Sequence, residues 1–166
     1  MIDPNWNQAT LESVLAGLPL GWVRYFSSTT STNDVAARLA GEGAPDLSLI
    51  VAGEQTAGKG RMGRKWFSPP DACIAFSLAL KAPLDTKGSA DVNNLLLRYT
   101  ALGALAVCDA LETHYKLATE IKWPNDVLLE NRKVCGILAE SHWLGNKLES
   151  IILGVGINIH SKALPQ

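Results

Sequence analysis

Cysteine and histidine are scarce in this 166-residue sequence, three of each. Cys73, Cys108 and Cys135 stand far apart, match no metal-ligand spacing, and as an odd set do not make a disulfide framework. They read as small core residues in a reducing, cytoplasmic compartment. His114, His142 and His160 are equally scattered, so neither a zinc site nor a Ser/His/Asp triad is written along the chain. An excess of one charge is also missing: Lys+Arg 15 against Asp+Glu 16 gives a net charge of -1. That excludes a global basic surface for nucleic acid or membrane, so any anion site must be local. No uninterrupted apolar run nears the ~20 residues of a membrane span. The start, MIDPNWNQATLESVLAGL, lacks a basic segment ahead of a continuous apolar core and does not read as a signal peptide. Repeats and low-complexity segments are absent.

What is present suffices for one domain. A 47% hydrophobic chain of this length buries about two-thirds of its unfolded surface. Thr10 to Leu15 reads as a short helix ended by Gly17 and Pro19, and Trp22 to Phe26 as a strand. Thr32-Asn33-Asp34 looks like the cap region of a helix through Ala40, and Leu47 to Ala52 like a buried strand. Cys73 to Leu80 alternates, with Ile74, Phe76, Leu78 and Leu80 on one face and Cys73, Ala75, Ser77 and Ala79 on the other. The small face lets another layer approach. Asp91 to Tyr115 is the longest helical segment, apolar nearly all round, so a buried helix is expected. Glu120 to Trp123 is short and extended. Val127 to Leu129 and Val134 to Trp143 form a hairpin around Glu130-Asn131-Arg132, and a last strand runs from Leu148 to Ile159. In that strand Gly154, Gly156 and Asn158 share a face, and two glycines there leave bare backbone for a close neighbour. The pattern predicts an α+β domain with a mixed, mostly antiparallel sheet and helices packed on one face.

Residues 53–71 have no apolar period, and a connection this long inside a compact domain is usually functional or disordered. Within it, Gly58-Lys59-Gly60-Arg61-Met62-Gly63-Arg64-Lys65-Trp66 sets four cations in seven positions of a near-neutral protein. Open backbone N–H groups and Arg forks make an anion site, most naturally for a polyphosphate; the competing reading is a solvated basic loop. Gly53 to Lys59 matches G-x-x-x-x-G-K, but Gly60 stands where a P-loop needs Ser or Thr, so a P-loop is excluded. Gly154-Val155-Gly156 does not extend to a dinucleotide fingerprint. Lys122-Trp123-Pro124-Asn125-Asp126 presents a cation, an amide and a carboxylate on one bend, with Asp126 a candidate for Mg²⁺ beside phosphates. It is equally a turn in which Asn125 and Asp126 bond their own backbone. Lys133, beside the hairpin turn, reads by itself as an exposed and idle lysine.

Together Ser31-Thr32-Asn33, Gln55 to Trp66, Lys122 to Asp126, Arg132 to Leu138 and Gly154 to Asn158 resemble the biotin protein ligases, in order and at family-like spacing over residues 27–160. The resemblance implies a catalytic domain related to class II aminoacyl-tRNA synthetases and lipoate ligases. It implies an enzyme that uses ATP and Mg²⁺ to turn biotin into biotinyl-5'-AMP, then transfers biotin to a lysine of a biotin carboxyl carrier protein, such as an acetyl-CoA carboxylase subunit. By the same resemblance Arg61, Lys133 and Lys122 carry the chemistry. Ser31, Thr32, Asn33, Gln55, Gly58, Lys59, Gly60, Arg61, Lys133, Gly136 and Gly154 hold biotin. Arg61, Arg64, Trp66, Asn125 and Asp126 serve the nucleotide, and Asp126 its magnesium.

Lys59 stands where many members carry Arg. The whole chain, 1–166, is expected to be a single catalytic domain without the N-terminal helix-turn-helix or the small C-terminal domain of many members. No DNA or membrane binding is expected, and a homodimer is compatible with the family. Residues 58–68 are expected to be mobile until ligand orders them. The alternatives are a lipoate or octanoate ligase of the same superfamily, or a module that binds biotin or biotinyl-AMP without transferring it.

Overall fold

A seven-stranded sheet forms the middle layer, with strand order β1-β2-β3-β7-β6-β5-β4. The computed structural model describes residues 6–83 and 88–163. Helix α1 (Gln8–Val14) opens on Asn7, whose side chain accepts from the Thr10 N–H. Strand β1 (Val23–Phe26), helix α2 (Thr32–Gly41) and strand β2 (Ser48–Ala52) form a crossover unit, and β1–β2 is the parallel pair. Strand β3 (Cys73–Lys81) runs antiparallel between β2 and β7. Helix α3 (Gly88–Tyr115) then leads to β4 (Glu120–Lys122), β5 (Asp126–Leu129), β6 (Arg132–Leu144) and β7 (Lys147–Asn158), all antiparallel to their neighbours. The β5–β6 turn places Glu130 and Asn131 at φ 50 and 61, the pair of left-handed residues a two-residue hairpin needs.

The alternation read in β3 and β7 sorts the core. Leu80, Ile151, Leu153 and Val155 face α3 and meet Val92, Ala104, Val107 and Cys108, with Phe76 and Leu78 packed beside them. Ala79 and Ile152 face the other way and meet Val35, Ala36, Leu39 and Ala40 of α2. The α+β class and the mixed, mostly antiparallel sheet are as expected, but the helices occupy both faces rather than one. The reason is the small face of β3: Ala75, Ser77 and Ala79 leave room for α2 to lie close against the strands. All three cysteines are buried and free.

Helix α3 departs from expectation. Only one side of it reaches the sheet; Leu102 and Leu105 are 58% and 57% exposed. By length and composition its Asp91–Tyr115 stretch also passes as a candidate membrane span, which the absence of an unbroken apolar run did not suggest. Here it lies along β6 and β7 through Ala104, Val107 and Cys108.

Candidate functional site

On the α2 face, where the two bare positions of β7 lie, a cavity of about 150 Å³ opens. Four stretches far apart in sequence converge on it. The start of α2 contributes Ser31, Thr32 and Asn33, with Gln55 beside them. The long connection contributes Lys59 through Trp66 except Gly63. The β4–β5 bend and the hairpin contribute Asn125, Asp126 and Lys133, and the floor is Gly136 to Leu138 of β6 and Gly154 to Gly156 of β7.

The basic connection is folded rather than loose. Bridges pair Gln55 with Ser68 and Lys59 with Lys65. Trp66 N–H donates to Gly58 C=O at 2.8 Å, and Gly60 N–H to Arg64 C=O at 2.7 Å. A three-residue 3₁₀ turn, Arg61–Gly63, makes the tip. This doubled-back strand drops Trp66 onto the floor. Its indole lies so close to Gly156 that an added Cβ would stand 2.4 Å from Cε2. At Gly154 the neighbour is Asn33, whose Oδ1 would lie 2.1 Å from an added Cβ. Both separations are far inside contact distance, so bare backbone at these two positions is what admits the Asn33 and Trp66 side chains. Trp66 Nε1 is buried and has no hydrogen-bond partner among the described residues.

Three of the cations lining the cavity have side-chain partners. Arg61 Nη1 donates to Asn125 Oδ1 at 3.1 Å, and Asn125 Nδ2 donates to Asp126 Oδ1 at 2.9 Å. Lys133 Nζ lies 2.7 Å from the same Asp126 oxygen and 5.4 Å above the Trp66 ring. Lys59 pairs with Asp34. That hydrogen bond raises the Lys59 pKa above its ordinary value; burial opposes the rise, and the Glu140 and Asp34 charges support it. The site is thus a shell of cations set around a small cavity, with a neutral pocket of hydroxyls and amides at the α2 end. It can bind an anion at one end and a neutral polar group at the other.

The structure brings together all of the sequence-derived site residues except Gly58 and Lys122. Gly58 stands behind the cavity, backing Trp66; an added Cβ there would meet the Trp66 carbonyl at 2.5 Å. Lys122 sits exposed on the edge strand β4, paired directly with Asp126, and does not line the cavity. Sequence reading missed Met62, Lys65, Ile137, Leu138, Val155 and Gly156 as lining residues. Gly156 carried a signal in its alternation with Gly154, and Lys65 lay inside the basic motif.

Residues 25–158 match the family described as "Biotin/lipoate A/B protein ligase family". The chain is 36% identical over 139 residues to a Bifunctional ligase/repressor BirA of Bacillus spizizenii, a match covering 84% of this chain and 41% of that protein. It is 38% identical to a Biotin--[acetyl-CoA-carboxylase] ligase of Paracoccus denitrificans, over 79% of this chain and 52% of the relative. Among solved structures, the biotin protein ligase of Aquifex aeolicus in complex with biotin and ATP superposes with a TM-score of 0.69 at 30% identity, over 87% of this chain and 55% of the other. The chain therefore spans about half the length of the proteins it resembles.

Proposed function

The chain belongs to the biotin/lipoate A/B protein ligase family, and on that premise we propose that it is a biotin–[biotin carboxyl carrier protein] ligase. The observation that carries this is the cavity itself: cations from the connection and from β6 surround one end, hydroxyls and amides line the other, and bare strands form the floor. A biotin molecule has the matching halves, a neutral ureido group at one end and a carboxylate at the other.

In the first step a biotin carboxylate oxygen attacks the α-phosphorus of ATP. A P–O bond forms, the bond to the β-phosphate oxygen breaks, and pyrophosphate leaves with its electron pair. Two anions must meet, so the barrier is lowered by charge neutralisation and positioning rather than by an enzyme nucleophile. Arg61 and Lys133 supply the positive charge for this; Arg61 Nη1 donates to Asn125 Oδ1 and Lys133 Nζ pairs with Asp126. Lys59 and Gly60, which also line the cavity, serve the biotin carboxylate. Ser31, Thr32, Asn33 and Gln55 serve the ureido group, Gly136 and Gly154 its walls, and Arg64, Trp66, Asn125 and Asp126 the nucleotide. Among the described residues Asp126 is the one carboxylate that lines the cavity, which suits magnesium carried in on ATP, since that ion takes one or two carboxylates and completes its shell with phosphate oxygens. In the second step the neutral ε-amine of a carrier lysine attacks the acyl carbon, the amide forms and AMP leaves.

The test is biotin-dependent ATP–pyrophosphate exchange on this chain, with lipoate and octanoate in parallel. Exchange with biotin alone supports the reading. Exchange with lipoate or octanoate moves the chain to the other branch of its family. Biotin binding without exchange makes it a binding module.

A further inference from the structure

We infer that Asp34, a residue outside the cavity, is a positioning residue for the basic connection: through Lys59 it clasps that connection to α2, and so sets how fast ligand enters and leaves. The inference rests on the biotin reading and adds to it a control on the rates of the same site.

The connection is tied at its base by backbone. Thr56 N–H donates to Thr29 C=O and Ala57 N–H to Thr30 C=O, both at 2.9 Å. Gln55 Oε1 accepts from the Thr32 N–H at 2.7 Å. From Gly58 to Trp66, among the described residues, the backbone hydrogen bonds stay within the connection. What reaches from there to other elements is side chain. Lys59 pairs with Asp34 of α2, Arg61 donates to Asn125 at 3.1 Å, and Lys133 lies over the Trp66 ring.

A ligand treats these ties differently. Arg61, Asn125, Trp66 and Lys133 all line the cavity, so ligand competes for them. Asp34 is not among the lining residues, and its carboxylate is held for Lys59. Lys59 does line the cavity, but an ammonium has three protons, and one given to Asp34 leaves two for an anion. Asp34 stands in the first turn of α2, directly after Ser31, Thr32 and Asn33. The pair therefore joins two walls of the cavity, and parting those walls requires breaking it. The hydrogen bond to Asp34 raises the Lys59 pKa, with the Asp34 and Glu140 charges in support, so the clasp is ionic at neutral pH. Its side chains are 43% and 47% exposed, which makes it weak. A weak tie suits a segment that must open in every catalytic cycle.

The clasp breaks when ligand enters and again when it leaves. Its removal therefore speeds both steps by a similar factor and leaves affinity alone. Other roles for Asp34 give other patterns. A carboxylate that only repels an anionic ligand slows entry, and its removal tightens binding. A carboxylate that only supports the α2 start through the helix dipole loosens binding when removed and speeds release alone.

The experiment is stopped-flow tryptophan fluorescence of biotin binding and release in wild type, Asp34→Asn and Asp34→Glu. Asp34→Asn should raise both rate constants by about twofold to fivefold, the range of an exposed ion pair, with the dissociation constant within about twofold of wild type. Asp34→Glu keeps the charge and should restore the wild-type rates. Salt at about 0.5 M screens an exposed pair, so there the wild-type rates should approach those of Asp34→Asn. Unchanged rates in Asp34→Asn overturn the inference. So does a change in one rate alone, or a failure of Asp34→Glu to restore both. Wild type that binds no biotin overturns the biotin reading and this inference with it. Asp34 is exposed, so the variants test the pair and not the fold, and equal melting temperatures check this.

Discussion

Lys133 and Arg61 hold opposite ends of one short chain of contacts through Asn125 and Asp126, which makes their loss a test of charge neutralisation rather than of folding. Lys133→Ala and Arg61→Ala should each slow biotin-dependent pyrophosphate exchange by roughly 10²–10³, the usual effect of removing one transition-state donor. Their melting temperatures should stay near wild type, because the Lys133–Asp126 pair is substantially exposed and such pairs add little stability. Near wild-type exchange in both variants would remove the proposed roles. Gly156→Ala tests the floor. Its Cβ must displace the Trp66 indole, so biotin and ATP affinities should fall together and the near-ultraviolet circular dichroism should change. Cys135 offers a pH test. Burial, partly offset by Lys133, pushes its thiol up to about 12 from an ordinary 9.0. A thiol held neutral in the fold stabilises fully below its unfolded pKa. Stability should therefore be lost as pH rises from about 9 towards 12. At pH 8 iodoacetamide should label Cys135 only after denaturant is added.

Among the elements, α3 and the basic connection carry the clearest expectations. Leu102 and Leu105 sit on the outer side of α3 and Val107 on the inner. Leu102→Gln or Leu105→Gln should change unfolding free energy by no more than about 0.5 kcal/mol, whereas Val107→Ala should cost about 1–3 kcal/mol; urea melts separate the two. The all-round apolar character of α3 pointed to burial, but a helix lying on one face of a sheet has only one contact stripe, and composition does not say which side that is. The connection at 53–71 stood out in the sequence as a candidate anion site from its glycines and cations, and part of it lines the cavity. Its doubled-back path was not legible, because the Lys59–Lys65 and Gln55–Ser68 bridges depend on backbone pairing that no periodicity marks. If the connection orders over ligand, proteolysis within 58–68 should slow when biotin and ATP are added together; unchanged cleavage would count against that role.

For the whole molecule, ligand binding and stability are linked, because the site exists only when four separate stretches are assembled on the sheet. Biotin at about 100 times its dissociation constant should add about 2.7 kcal/mol, a rise in melting temperature of roughly 5–10 °C for a chain of this size. The strands, the α2 start and the hairpin turn at Glu130–Asn131 were legible in the sequence because alternation, caps and turn residues act over a few positions. So were the basic motif, the Lys-Trp-Pro-Asn-Asp block and the glycine pair of β7, and with them the family. Sequence alone therefore determined which chemical groups are available and in which local conformations they stand. Only the tertiary structure decided which of them meet. The place of Gly156 under Trp66 and the helices on both faces depend on strand order. Strand order sets β7 between β3 and β6, and it arises from long-range pairing and the burial of two opposite faces, which no single stretch of residues encodes.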